Sequence, residues 1–128
     1  MWSNLYVYYN LRSDERYQQF QPVEEIVQIL KGTGVLEAQS SMIFGNVSNF
    51  PWLNIGIAQT TDGNYSIAQD ANYDSGNLLT VVTSRQHDQQ IYKDLLIGIA
   101  RKLQWEVILE EDDHENEDVI IFSPNESV

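Results

Sequence analysis

Nine consecutive residues, Glu110 to Asp118, read EEDDHENED: seven carboxylates, one histidine, one asparagine and no cation. Clustered carboxylates have three chemical uses. They gather a hard cation, share a proton as an acid–base pair, or present negative charge to a basic partner. The spacing argues against the first. A calcium loop sets oxygens at alternate positions around a glycine and closes on a bidentate glutamate, and EEDDHENED has neither the glycine nor that spacing. A second segment, DANYDSGN, comes nearer, with Asp70, Asn72 and Asp74 at alternate positions. Ser75 nevertheless stands where the glycine belongs, and Val81 where the glutamate belongs. No cofactor and no dedicated metal site are expected.

Acid–base catalysis is expected to fail for a different reason. Pairs such as Glu110 and Asp112 would sit on an exposed loop, where nothing desolvates one carboxyl relative to the other and splits their pKa values. His114, surrounded by carboxylates, is expected to be charged, which spoils it as a neutral base. His87, in SRQHDQQ, stands at a helix start and reads as solvated or capping. The chain has no nucleophile elbow, phosphate loop or dinucleotide fingerprint and no cysteine. The expectation is a protein that is not an enzyme.

Charge favours the third use. The chain carries 19 acids against 7 Lys and Arg, a net charge of −12. Residues 1–103 hold ten of the acids and all seven cations, and residues 104–128 hold nine acids and no Lys or Arg. Such a field repels nucleic acid and anionic membranes and draws in a basic protein. The start, MWSNLYVYYNLRSDER, lacks the basic-then-apolar pattern of a secretory signal. No apolar run approaches the roughly 20 residues of a membrane-spanning helix. A cytoplasmic location is expected, with the sequons at Asn46, Asn64 and Asn125 silent.

The 128 residues are expected to form one domain, spanning 1–128. WSNLYVYYNL has the composition of a strand. In QPVEEIVQILKGTG, Pro22 suits a first helical position, and Val23, Ile26, Val27 and Leu30 recur at helical spacing before Lys31 and Gly32 or Gly34. VLEAQSSMIFG reads as a second strand and NVSNFP as a connector. WLNIGIAQT reads as a third strand, with Leu53, Ile55 and Ile57 on one face and Gly56 as a bulge. Asp62-Gly63 signals a hairpin turn, QDANYDSGN a polar loop, and LLTVVTS a buried strand.

HDQQIYKDLLIGIARKL is the clearest helix. Asp88 caps it, and Ile91, Leu95, Ile99 and Leu103 form its apolar stripe, flanked by Tyr92 and Leu96. WEVIL and VIIF then enclose the acidic segment, which is expected to be a surface hairpin loop. The expected fold is α+β: a mostly antiparallel sheet with two helices packed on one face, as a ferredoxin-like core with extra strands.

Tyr6, Tyr8, Trp52, Tyr65, Tyr73 and Trp105 exceed the needs of thin strand faces, and Tyr and Trp are common interface anchors. The partner-binding residues expected from charge and exposure are Glu110, Glu111, Asp112, Asp113, Glu115, Glu117 and Asp118, with Tyr65 and Tyr73. The stretches NLYVYYNL, NFPWLNIGI and LLIGIARKLQWEVILEED give the chain a pattern similar to the immunity proteins of bacterial toxin–immunity systems, including contact-dependent growth inhibition. That resemblance implies a stoichiometric inhibitor of a cognate toxin, often a basic nuclease, whose active site or substrate groove it occludes. It transfers no individual functional residue. The same acidity also fits a nucleic-acid mimic that inhibits another nucleic-acid-binding protein, and more remotely a metal-assisted hydrolase.

Overall fold

A computed structural model of the chain describes residues 5–60, 74–111 and 114–124. Alternation along β1 (Tyr6–Arg12) sets the two sides of the sheet. Val7, Tyr9 and Leu11 are buried, while Tyr6, Tyr8, Asn10 and Arg12 point the other way. Next come β2 (Gln21–Pro22), α1 (Val23–Gly32), β3 (Leu36–Ala38), β4 (Ile43–Asn46) and β5 (Leu53–Ala58). They are followed by β6 (Ser75–Gly76), β7 (Leu78–Ser84), α2 (Gln89–Leu103), β8 (Glu106–Glu111) and β9 (Glu117–Phe122). Seven strands form one sheet in the order β3-β4-β5-β7-β1-β8-β9, with every neighbouring pair antiparallel, and β2 pairs with β6 separately.

The fold is α+β. β1 and β5 run in the same direction on either side of β7, and α1 lies in the connection between them. β7 and β8 run in the same direction on either side of β1, joined by α2. Ile26 and Leu30 of α1 and Tyr92, Leu96, Ile99 and Leu103 of α2 pack into one core with the inward residues of β1, β5 and β7. Both helices therefore cover the same face. Among the described residues no helix packs on the opposite face.

Local chemistry sets the helix ends. Glu24 and Glu25 lie in the first turn of α1 and Lys31 in its last, complementing the helix dipole. The Asp88 side chain accepts from the Gln90 N–H at 3.0 Å and caps α2. At the other end of α2, Gln104 adopts φ 61°, the Trp105 N–H reaches the Ala100 carbonyl at 3.0 Å, and Gln104 N–H reaches Arg101 at 3.4 Å. This Schellman-type stop buries Trp105 and launches β8.

Several local expectations are corrected. Pro22 is not the first helical residue; it precedes α1 in extended conformation and pairs with Ser75, while the Asp74 carbonyl accepts from the Val23 N–H at 2.9 Å. VLEAQSSMIFG is two strands, because Gln39 and Ser40 both donate to the Ile43 carbonyl and fold it into the β3–β4 hairpin. Gly56 is no bulge, since it pairs in unbroken register with Ile43 and Thr80. The register shift falls instead between β8 and β9, where Val107 pairs with Phe122 and Ile108 with Ile120, leaving Ile121 as the extra residue. Part of the expected polar loop is the β6 strand, followed by a buried Asn77. The Asn77 amide donates to the Thr60 and Tyr17 carbonyls and accepts from the Thr60 N–H, so the buried group is fully bonded. The Asp62-Gly63 turn lies outside the described residues.

The α2 stripe is also turned relative to expectation. Ile91 is 42% exposed and Leu95 only partly buried, while Tyr92, Leu96, Ile99, Ala100 and Leu103 face the core. Ile91 and Tyr92, like Leu95 and Leu96, are adjacent apolar residues, so periodicity alone left the centre of the stripe open. Tyr92 decides it: its hydroxyl donates to the Trp52 carbonyl at 2.7 Å, and Phe50 packs edge-on to its ring at 6.4 Å.

Candidate functional site: the acidic edge hairpin

β8 pairs with β1 on one side and β9 on the other, which makes β8–β9 one margin of the sheet. Its register is held by the apolar pairs Ile108–Ile120 and Leu109–Val119. The ladder then runs on into the acids, ending with Glu111 opposite Glu117. The acidic segment is therefore not wholly a loop. Glu110 and Glu111 close β8, Glu117 and Asp118 open β9, and only residues 112–116 lie between them. The apolar pairs behind them carry the ladder forward, and at the sheet margin Glu117 and Asp118 stay exposed while Glu110 and Glu111 are half-buried.

Strand geometry divides these charges between two sides. Glu106, Ile108 and Glu110 share the face away from the helices with Tyr8, Asn10 and Arg12, and Ile108 is buried there, while Val107, Leu109 and Glu111 point toward the helix side. Glu115, Glu117 and Asp118 are exposed, and Glu115 and Asp118 adopt positive φ of 64° and 51°. Among the described residues none of Glu111, Glu115, Glu117 and Asp118 forms an ion pair. Asp112, Asp113, Tyr65 and Tyr73 lie outside the described residues. No group of three or more His, Asp or Glu side chains among the described residues is arranged to hold a metal ion.

On the face away from the helices two glutamates have different surroundings. Glu106 accepts from Arg12 Nε at 2.8 Å, and that guanidinium also lies 5.5 Å from the centroid of the Tyr17 ring. Burial works against the Arg12 charge, and its hydrogen bonds to Glu106 and Tyr17 outweigh that cost. Glu110, two turns of the pleat further along, receives the Asn10 amide at 3.4 Å and no Lys or Arg among the described residues. Burial raises the Glu110 pKa and nearby Asp118 adds to the rise, while the Asn10 bond and the chain's amino terminus lower it.

On the helix side the hairpin borders a cleft of about 300 Å³. It is lined by the apolar side chains of Val7 and Leu109 and by Tyr9, Arg85, Gln89, Lys93, Glu111 and His114. The Tyr9 hydroxyl donates to Gln89 Oε1 at 2.7 Å, and Gln89 Nε2 donates to the Ser84 carbonyl at 2.9 Å. Burial pushes the Tyr9 phenol far above its ordinary range, so it stays a neutral donor.

The aromatic residues separate by role. Trp105 is wholly buried and belongs to the core. Tyr6, Tyr8 and Trp52 gather on the face away from the helices, with Tyr6 5.7 Å from Trp52 and 6.4 Å from Tyr8 between ring centroids. Trp52 is 44% exposed and Tyr6 38%. Tyr6 and Tyr8 at i and i+2 share a face in any strand, and that spacing was the available signal for the pair. Trp52 joins them only through the order β5-β7-β1. Comparison with protein-family models, with curated proteins and with solved structures gives no match.

Proposed function

We propose that this chain is a cytoplasmic immunity protein that captures and neutralises a cognate toxin domain of basic character, through the β8–β9 margin. The observation that carries this reading is the Glu111–Glu117 pair. Two like charges directly opposite in a ladder cost stability, and here they sit at the end of an edge hairpin with no ion-pair partner among the described residues. A charge arrangement unfavourable to the isolated fold makes sense when a cationic surface completes it. A nuclease groove is cationic because it holds phosphates, so the hairpin would occupy it in place of nucleic acid. The chain would act by occlusion and have no turnover of its own. We read β5-β7-β1-β8 with α1 and α2 as a ferredoxin-like core, extended by β3–β4 at one margin and β9 at the other.

Co-expression with the toxin reading frame adjoining its gene tests the proposal. A stable complex and rescue of growth are expected. Unchanged toxicity with no complex would overturn it, and binding to nucleic-acid-processing proteins instead would favour the nucleic-acid-mimic reading.

A further inference from the structure

The outer face of α2 carries Ile91, Asp94, Leu95, Gly98 and Lys102 at helical spacing. Asp94, Gly98 and Lys102 are exposed, Leu95 is half-buried and Ile91 is 42% exposed. A groove of about 240 Å³ lies beside them, lined by Ile29 and Thr33 from the end of α1 and by Leu95, Gly98 and Ile99 of α2. Gly98 is the odd residue there. Glycine inside a helix costs stability against alanine, and a Cβ at Gly98 would meet nothing within 4 Å. Among the described residues no close contact requires it. The charges stand symmetrically about this glycine, Asp94 one turn before and Lys102 one turn after. Asp94 accepts from the Gln90 amide at 2.8 Å on its own helix, and among the described residues neither Asp94 nor Lys102 forms an ion pair.

We propose that this face is a two-fold contact with a second copy of the chain, the two α2 helices running antiparallel and crossing at Gly98. A two-fold interface uses one patch on both copies, so the patch must complement itself. Turning the row Asp94–Gly98–Lys102 end for end sets each Asp94 opposite Lys102 of the other copy. Rows of residues four apart align in the commonest class of helix packing, and a glycine at the crossing lets the two backbones approach. Ile91 and Leu95 gain cover, and the groove beside Gly98 has room for side chains of the incoming helix. Net charge does not forbid the contact. The chain's −12 is concentrated after residue 103, whereas α2 carries Lys93, Arg101 and Lys102 against Asp94 alone. The proposal stands on the helix layer and is independent of the toxin reading.

Sedimentation equilibrium of the full chain at about 0.15 M salt gives the test. A reversible dimer is expected, dissociating at about 10–100 μM, as suits a small contact. Gly98→Gln puts a side chain at the crossing and should weaken the dimer about tenfold or more. In dilute solution its melting temperature should stay at or above that of the native chain, because glutamine is the better helix former. Asp94→Lys and Lys102→Glu each set like charges face to face, and each alone should weaken self-association about tenfold or more. Mixed in equal amounts, these two variants should pair with each other, since one supplies lysine at both positions and the other an acid at both. A chain that stays monomeric up to about 1 mM would overturn the proposal, whatever else covers the groove. So would a dimer indifferent to Gly98→Gln, or two charge variants that stay apart when mixed.

Discussion

Glu111 and Glu117 face each other as the last pair of the β8–β9 ladder before the turn. Like charges directly opposite repel, and the apolar pairs behind them, Leu109 with Val119 and Ile108 with Ile120, hold the strands together regardless. Glu117→Lys makes the pair attractive. It is expected to stabilise the fold by about 0.5 kcal/mol at low salt, with the gain shrinking as salt screens it. Urea unfolding at two ionic strengths measures this, and a loss of stability would show that the two side chains do not interact.

The rotation of α2 makes a sharper demand. Leu96 is fully buried and Ile91 largely exposed, although both belong to the same apolar band in sequence. Leu96→Ala is expected to cost about 2–5 kcal/mol, as for other buried leucines, and Ile91→Ala less than about 1 kcal/mol. Chemical denaturation of the two variants decides it, and a reversed order would put the expected stripe back against the sheet.

These cases mark what local pattern can and cannot reach. Leu53, Ile55 and Ile57 alternate and are all buried, and Asp88 caps the helix it precedes, because both signals act within a few residues. Whether Ile91 or Tyr92 faces inward depended on Phe50 and the Trp52 carbonyl, some forty residues away. The acids were legible as a cluster, but their division between two faces was not. It follows from how far the Leu109–Val119 register extends. Asn10 beside Glu110, and Tyr6 beside Trp52, meet only through the strand order. Asn77 looked like loop polarity, and its burial follows from backbone groups of Thr60 and Tyr17 that no periodicity brings to it.

Glu110 sets a pH dependence whose sign can be worked out. Its pKa in the folded chain is raised, chiefly by burial, above the ordinary 4.5. The folded state therefore takes up this proton before the unfolded state as pH falls. The Glu110 contribution is unfavourable above its raised folded pKa, and stability is regained as pH drops through that value, fully so below 4.5. Glu110→Gln keeps an acceptor for Asn10 and removes the charge. The melting temperature is expected to rise at pH 7, with the gain fading as pH approaches 4. An equal gain at both pH values would assign the effect to packing.

The capture mechanism makes the last prediction. If exposed acids steer a basic toxin, replacing Glu111, Glu115 and Glu117 with Gln and Asp118 with Asn should slow association about tenfold or more at low salt. Dissociation should change little, because Glu115, Glu117 and Asp118 are exposed, Glu111 is half-buried, and all four belong to the rim of any contact. The fold should be unharmed or slightly stabilised, since the Glu111–Glu117 repulsion disappears. At high salt the variant and the native chain should associate at similar rates, because screening removes the steering from both. Trp52→Ala should behave in the opposite way, with association nearly unchanged and dissociation faster at every salt concentration. Stopped-flow measurements of both variants against the cognate toxin separate the two contributions. A native-like association rate for the neutralised hairpin at low salt would remove electrostatic capture and leave the aromatic face to carry the interaction.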